Sequence, residues 1–317
     1  MRTAHDPWAL QQMQSLPLEA KILMSQRRIE AWFNHWDGQV YISFSGGKDS
    51  TVLKHLVENT PGVYDVPSVF VDTGLEYPEV RKFATERADV VIRPEMRFDE
   101  VVKTYGYPVI SKEVALKVQE TRSKPDGYAS QSFDPNSPKI QKYGSRYDLS
   151  RWKYLLDAPF KISNKCCDVM KKRPVKKYEK ETGRTPFIGS MVTESSARKT
   201  EWLKHGCNAF TKKRPTSQPL SFWTEQDVLQ YIVENNLEYA SVYGEIKQDE
   251  KGKWYTTGCD RTGCMFCMFG CHLDKSPNRF QRMKETHPKQ YDYCMRPVEE
   301  KGLGLAKVLD YIGVDYK

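Results

Sequence analysis

The chain has 317 residues, of which 39% are hydrophobic and 28% charged, with a net charge of +8. That composition fits one large soluble globular domain or two modest ones. No apolar run approaches the length of a membrane span, and no apolar core follows a basic start, so neither a membrane partner nor a secretory signal is expected. The eight cysteines are therefore expected in a reducing, cytoplasmic setting, where tight spacing points to metal binding or catalysis before disulfides. The charge is uneven: residues 161–215 hold 15 Lys/Arg against 5 Asp/Glu, a block suited to a polyanion such as nucleic acid or to solvent.

In chain order, residues 1–36 read as an N-terminal helical segment, with a helix from Leu18 to Trp36 carrying Ile22, Leu23, Ile29, Trp32 and Phe33 at helical spacing. Val40–Ser43 reads as a strand. It runs into Ser43-Phe44-Ser45-Gly46-Gly47-Lys48-Asp49-Ser50, and a helix follows from Thr51. A strand, a small-residue turn and a helix make a phosphate cradle. Two glycines permit tight turning and close approach of an anion, Ser45 and Ser50 offer hydroxyls, Lys48 a point charge, and the helix start exposes N–H groups. The spacing is not that of a Walker A loop.

A second strand over Pro67–Val71 precedes Asp72-Thr73-Gly74, which would lie beyond a strand's C-terminal end, where open α/β sheets bind ligands. A capping role for Asp72 is the alternative. Val90–Arg93 and Phe187–Val192 read as further strands. Helices are expected over 80–88, 98–105, 112–122, 195–204, 224–235, 279–286 and 304–312. The alternation argues for a doubly wound, mainly parallel α/β sheet spanning residues 37–250. Residues 123–151, rich in Ser, Pro, Asp, Gly, Lys and Tyr, lack periodicity and read as a loop insertion, either a lid over the nucleotide site or disorder. Residues 251–317 form a cysteine-rich, mostly helical C-terminal extension.

The cysteines are the second strong signal. Cys264 and Cys267 form a C-x-x-C, Cys259 and Cys271 flank it, and Cys166-Cys167 lie far upstream. Such spacing lets two thiolates reach one metal centre from a single turn, zinc or an iron–sulfur cluster, with two more ligands from elsewhere. Spacing leaves two sets open: Cys166, Cys167, Cys264 and Cys267, or Cys259, Cys264, Cys267 and Cys271. Cys207 and Cys294 stand alone.

Several blocks, in order, resemble the sulfonucleotide (PAPS/APS) reductase family of PP-loop enzymes. Ser45–Ser50 looks like its pyrophosphate loop, and Val71-Asp72-Thr73-Gly74 like its L-D-T-G segment. Cys166-Cys167 with Lys171, Lys172 and Pro174 looks like C-C-x-x-x-K-x-x-P. Gly189 with Ser195 and Arg198 keeps the spacing of G-L-R-R-x-x-S-x-x-R. The run from Pro219 to Val228 resembles P-L-x-x-W-T-x-x-D-V, and Cys264–Cys267 falls at the family's C-x-x-C. The chain looks closest to the phage- and prophage-borne branch.

The resemblance implies an adenine nucleotide α-hydrolase-like fold that binds ATP, APS or PAPS. The implied nucleotide-binding residues are Ser43, Ser45, Gly46, Gly47, Lys48, Asp49, Ser50, Asp72, Thr73, Gly74 and Gly189. Lys48, Asp49 and Arg198 would be catalytic, Mg²⁺ would be held partly by Asp49 or Asp72, and a 4Fe-4S cluster would sit on Cys166, Cys167, Cys264 and Cys267. Two departures bear on function. Met191-Val192 stands where the family has an arginine pair expected to hold sulfate, and no cysteine follows Cys294, so the tail nucleophile of the reductases is missing.

Three functions are therefore expected to compete: adenylation or sulfur transfer with pyrophosphate release, true sulfonucleotide reduction through Cys207 or Cys294, and a nucleotide-gated regulator binding nucleic acid through 161–215. A homodimer is the oligomer considered.

Overall fold

The computed structural model describes residues 5–317; the first four residues of the expected N-terminal helical segment lie outside them. Eight strands are present among these residues: β1 Val40–Ser43, β2 Ser68–Val71, β3 Val90–Ile92, β4 Thr185–Ile188, β5 Asn208–Ala209, β6 Thr216–Ser217, β7 Ile246–Gln248 and β8 Trp254–Thr256. The α-helices are α1 Pro7–Ser15, α2 Leu18–His35, α3 Lys48–Glu58, α4 Pro78–Arg87, α5 Phe98–Tyr105, α6 Lys112–Ser123, α7 Pro138–Tyr143, α8 Arg173–Thr182, α9 Ser196–His205, α10 Glu225–Glu234, α11 Arg279–Thr286, α12 Pro288–Met295 and α13 Leu305–Tyr311.

The chain divides into two compact units built from interleaved segments. The first runs to Asp72 and adds Glu76–Arg93 and Val175–Thr262; the second comprises Thr73–Leu75, Pro94–Pro174 and Gly263–Lys317.

The first unit holds a six-stranded sheet in the order β3-β2-β1-β4-β6-β5, parallel throughout except for β5 against β6. This is the expected mainly parallel α/β architecture. Side-chain alternation along β1 explains why both faces are covered. Val40 and Ile42 pack with Val52, Leu53 and Trp32 on the α2/α3 side, whereas Tyr41 packs with Val69 and Tyr178 on the α8 side. A parallel sheet with both faces apolar must be sandwiched by helices.

Two sequence expectations shift here. The fourth strand is Thr185–Ile188, earlier than expected, because Pro186 lies inside it. A proline weakens a central-strand reading, yet Pro186 pairs only with Tyr41 on β1, and β6 joins β4 only at Phe187. Met191 and Val192 therefore lie past the strand. Residues 123–151, read as a loop, contain α7 and short 3₁₀ turns at Ser130–Phe133 and Ser145–Tyr147. Ser137 starts α7 as an N-cap, its hydroxyl accepting from the Ile140 amide.

The helical layer is fixed by a buried ion pair. Lys21 on α2 donates to both carboxylate oxygens of Asp227 on α10 at 2.8 and 2.7 Å, with side chains only 2% and 11% exposed. Asp227 also completes the capping box of α10, accepting from the amide and hydroxyl of Thr224. Removing one partner leaves the other charge buried and uncompensated. Lys21→Met is expected to lower the unfolding free energy by about 3–5 kcal/mol, read as a lower urea midpoint.

Candidate functional site

The loop from β1 to α3 sits at the C-terminal edge of the sheet, between β2 on one side and β4 on the other. Gly46 has φ +73°, and a Cβ there would lie 2.7 Å from the Ala84 Cβ and 2.9 Å from the Val80 carbonyl oxygen. Only glycine fits both the left-handed backbone and the space. Gly47 caps α3. The Ser45 amide donates to the Ser50 hydroxyl at 3.1 Å, the two serine hydroxyls lie 3.0 Å apart, and Ser50 donates to the Gly47 carbonyl at 2.9 Å. The hydroxyls thus hold the loop shut on itself and aim it at the start of α3, where backbone N–H groups favour an anion. Gly189, just past β4, would place a Cβ 3.0 Å from the Asp49 carbonyl oxygen, so its lack of a side chain lets β4 end against the first turn of α3. Ser43 closes β1.

Beside this loop lies a cavity of about 190 Å³ lined by Lys48, Asp49, Met191, Thr193, Glu194, Glu225 and Arg261. Lys48 is almost fully buried; its ammonium donates to Glu225 at 2.7 Å and to the Asp260 carbonyl, and it lies 5.4 Å from the Tyr243 ring centroid. Tyr243 in turn meets the Thr262 hydroxyl at 2.6 Å. Glu194 is held between two guanidinium groups, Arg198 on α9 and Arg261 at 2.8 Å. Asp49 has a buried carboxylate oxygen with no hydrogen-bond partner. Burial pushes its carboxyl above the usual range, against the pull of Lys48, Arg261 and Arg198.

Of the three expected catalytic residues, Lys48 and Asp49 line the cavity, and Arg198 reaches it through its pairing with Glu194. Its lining also includes three residues that the sequence did not single out, Glu194, Glu225 and Arg261, and Tyr243 adjoins it through Lys48. Glu225 stood inside the quoted Pro219–Val228 block. Arg261 follows Cys259 by two residues, and nothing in its local sequence distinguished it from a solvated cation. Met191 lines the cavity and packs with Val192 in the core, so the segment after β4 contributes apolar surface there instead of positive charge.

Asp72 follows β2 with its carboxylate buried. Both its oxygens are engaged, Oδ1 by Arg81 at 2.6 Å and Oδ2 by Arg81 at 2.8 Å and Arg93 at 3.1 Å. These bonds hold its carboxyl well below the usual range. Thr73 and Gly74 belong to the second unit; the Thr73 hydroxyl accepts from the Leu75 amide at 3.2 Å and Gly74 has φ +71°.

All eight cysteines are thiols. Cys166, Cys167, Cys264, Cys267 and Cys271 lie in the second unit, while Cys259 lies in the first, where it adjoins Tyr243. The Cys166 thiol donates to Cys167 at 4.0 Å. Cys264 and Cys267 lie close enough to raise the Cys166 thiol further by charge repulsion. That hydrogen bond, with Lys112, Lys171 and Lys172 nearby, lowers the Cys167 thiol to about 6. Among the described residues no three His, Cys, Asp or Glu side chains converge as they would on a single metal ion. Four thiols near one another beside basic residues suit an anionic cluster. Of the lone thiols, Cys207 is buried, its sulfur accepting from Arg28, Trp202 and Ser221 at 3.0, 3.4 and 3.1 Å. Cys294 is fully buried and burial pushes its thiol up to about 12.

The model of the phosphoadenosine phosphosulfate reductase domain matches residues 39–108 and 137–269, more than half of the chain. An uncharacterised protein of Methanocaldococcus jannaschii is 26% identical over 83% of this chain and 42% of its own length. Sulfate adenylyltransferase subunit 2 of Shigella dysenteriae is 25% identical over 71% of this chain and 66% of its own length. The chain thus spans under half of the first relative and just under two thirds of the second. The crystal structure of a phosphoadenylyl-sulfate reductase from Candida auris, a phosphate complex, covers 80% of this chain and 100% of that one at 13% identity and a TM-score of 0.40. No described helix is long and apolar enough to cross a membrane.

The raised Asp49 carboxyl has a definite sign. A carboxyl that binds protons more tightly folded than unfolded destabilises the fold progressively as pH rises through and above the ordinary carboxylate range. Asp49→Asn is therefore expected to raise the melting temperature at pH 7, with the gain shrinking as pH falls below that range, while nucleotide binding weakens. Thermal melts across pH check it.

Proposed function

The chain belongs to the phosphoadenosine phosphosulfate reductase domain family, and on that premise we propose that it uses ATP for chemistry at the α-phosphate, adenylating or delivering sulfur to an acceptor. Adenine nucleotide binding is what the family implies; the transfer step is the proposal. The nucleotide's phosphates would lie on Ser45–Ser50 at the start of α3, assisted by Gly189, and Mg²⁺ would be shared with the carboxylate of Asp49. An acceptor oxygen or sulfur attacks the α-phosphorus, the bond to the bridging oxygen of the β-phosphate breaks, and pyrophosphate leaves. The proton lost by the acceptor would pass to the departing pyrophosphate or to water, since an Asp49 that shares Mg²⁺ stays charged. Lys48, Arg198 and Arg261 stabilise the charge that accumulates on the phosphoryl oxygens.

The observation that carries transfer over reduction is the burial of both lone thiols. Sulfonucleotide reduction needs a thiolate attacking sulfur. Cys294 is sealed in the core with its thiol pushed up to about 12, and Cys207 is locked among three donors. Met191 and Val192, packed in the core, supply no donors for a sulfate dianion.

A 4Fe-4S cluster on Cys166, Cys167, Cys264 and Cys267 is part of this proposal, supported by the charge effects of Cys167, Cys264 and Cys267 on Cys166 and of Cys167 on Cys267. Bound there, the cluster would supply redox-active iron and sulfide. The likeness to the phage and prophage branch stays with this reading.

Pyrophosphate release from ATP with acceptor is expected to fall about 100-fold or more in Lys48→Ala. Sulfite release from APS or PAPS that is abolished by Cys207→Ser or Cys294→Ser would reverse the choice. Anaerobic protein is expected to carry iron and acid-labile sulfide. Cys167→Ser should lose the visible absorbance and Cys259→Ser keep it; a zinc-only wild-type protein would sink the cluster.

A further inference from the structure

Residues 124–157 build a firm base with an unusual outer face. Phe133, Ile140, Leu149 and Leu155 are buried beneath it. Arg122 on α6 pins it, its guanidinium donating to the carbonyls of Leu155, Leu156, Ala158 and Phe160 at 2.6 to 3.0 Å. On this base stand three exposed tyrosines: Tyr128 at 58%, Tyr143 at 51% and Tyr147 at 37% exposure. The rings of Tyr143 and Tyr147 lie 6.0 Å apart, edge to face, and Tyr128 reaches Tyr143 through its side chain.

Cations are set into this aromatic surface. The Lys142 ammonium lies 5.3 Å from the Tyr143 ring centroid, and that of Lys139 4.9 Å from Tyr128. Lys139 is only 7% exposed, donates to the Ser132 hydroxyl and makes no ion pair with a carboxylate; burial and nearby Lys117 hold its ammonium below the usual range, against the pull of Glu113 and Glu120. Arg151, stacked 4.8 Å from the Trp152 ring centroid, extends the pattern. Exposed rings in contact, interleaved with unpaired cations, meet the two needs of an unpaired strand: flat faces on which bases stack and charges that follow the phosphates. A duplex hides its base faces and a protein partner brings no regular anions. The family match is interrupted between 108 and 137, so Tyr128 and the start of this base lie outside the matched domain.

We propose that the Tyr128–Tyr143–Tyr147 surface, with Lys139 and Lys142, binds single-stranded nucleic acid. The site uses none of the cavity residues beside Ser45–Ser50 and none of the 161–215 basic block.

Fluorescence anisotropy with labelled 12-nucleotide oligo(dT) and oligo(U), titrated over salt on the full-length protein, tests it. Binding should weaken steeply with salt, exceed that to a duplex of equal length, and fall about 10-fold or more in Tyr128→Ala/Tyr143→Ala. Tyr128→Phe/Tyr143→Phe should retain it, since the stacking faces survive, and Lys142→Glu should weaken it. Unchanged circular dichroism and melting in these surface variants separates loss of the site from loss of the fold. No strand binding at low salt, a preference for duplex, or loss on Lys176→Glu/Lys177→Glu with the tyrosine variants unaffected would overturn it. So would tyrosine variants that change only the oligomeric state in size-exclusion chromatography.

Discussion

Gly46 has no room for a side chain, and much of the proposed nucleotide site follows from that. Ala84 and Val80 on α4 press against its backbone, which holds a left-handed φ. With that reversal the chain leaves β1 and enters α3 within four residues, and the first amides of the helix come to the sheet's C-terminal edge. Gly189 repeats the constraint from the other side, because β4 can end against the Asp49 carbonyl only without a Cβ. The parallel register of Ser43 with Ile188 brings the two glycine turns to the same level. The proposed phosphate cradle, at the sheet's switch point between β1 and β4, is the geometric product of these two absences.

The cavity beside the cradle is balanced in charge instead of simply basic. Lys48 is met by Glu225, and Arg198 and Arg261 by Glu194, leaving Asp49 with an unsatisfied oxygen. On the proposed reading, a triphosphate entering this space would displace carboxylates from cations or bring its own divalent metal. The unpartnered Asp49 costs stability at neutral pH, as is common where a carboxyl is kept for chemistry.

The second unit has a different economy. Its thiols gather around Cys166 and Cys167 beneath lysines, and Arg279 ties its C-terminal part together by bonding Asp274 and the carbonyls of Cys267 and Phe269. Arg122 likewise bonds the carbonyls of Leu155, Leu156, Ala158 and Phe160. In both places one arginine bonds a cluster of acceptors, which is how loop-rich segments with little periodic structure become ordered.

Local chemistry made much of this legible from the sequence. The β1–loop–α3 unit, the strands at 68–71 and 90–92, the cap at Thr224 and the family blocks could be read because each is specified within about ten residues by glycine, hydroxyl caps and apolar periodicity. The fourth strand was displaced by Pro186, since a sequence does not reveal on which side a strand lacks a hydrogen-bonding neighbour. The ordered base at 124–157 was hidden because its stability comes from Arg122 and scattered apolar anchors, not from a repeating pattern. Only the tertiary structure could bring Arg261 to Glu194 and engage both oxygens of Asp72 with Arg81 and Arg93. These are contacts between residues up to tens of positions apart in the chain. They depend on charge, burial and reach in three dimensions, for which a linear sequence carries no local signal.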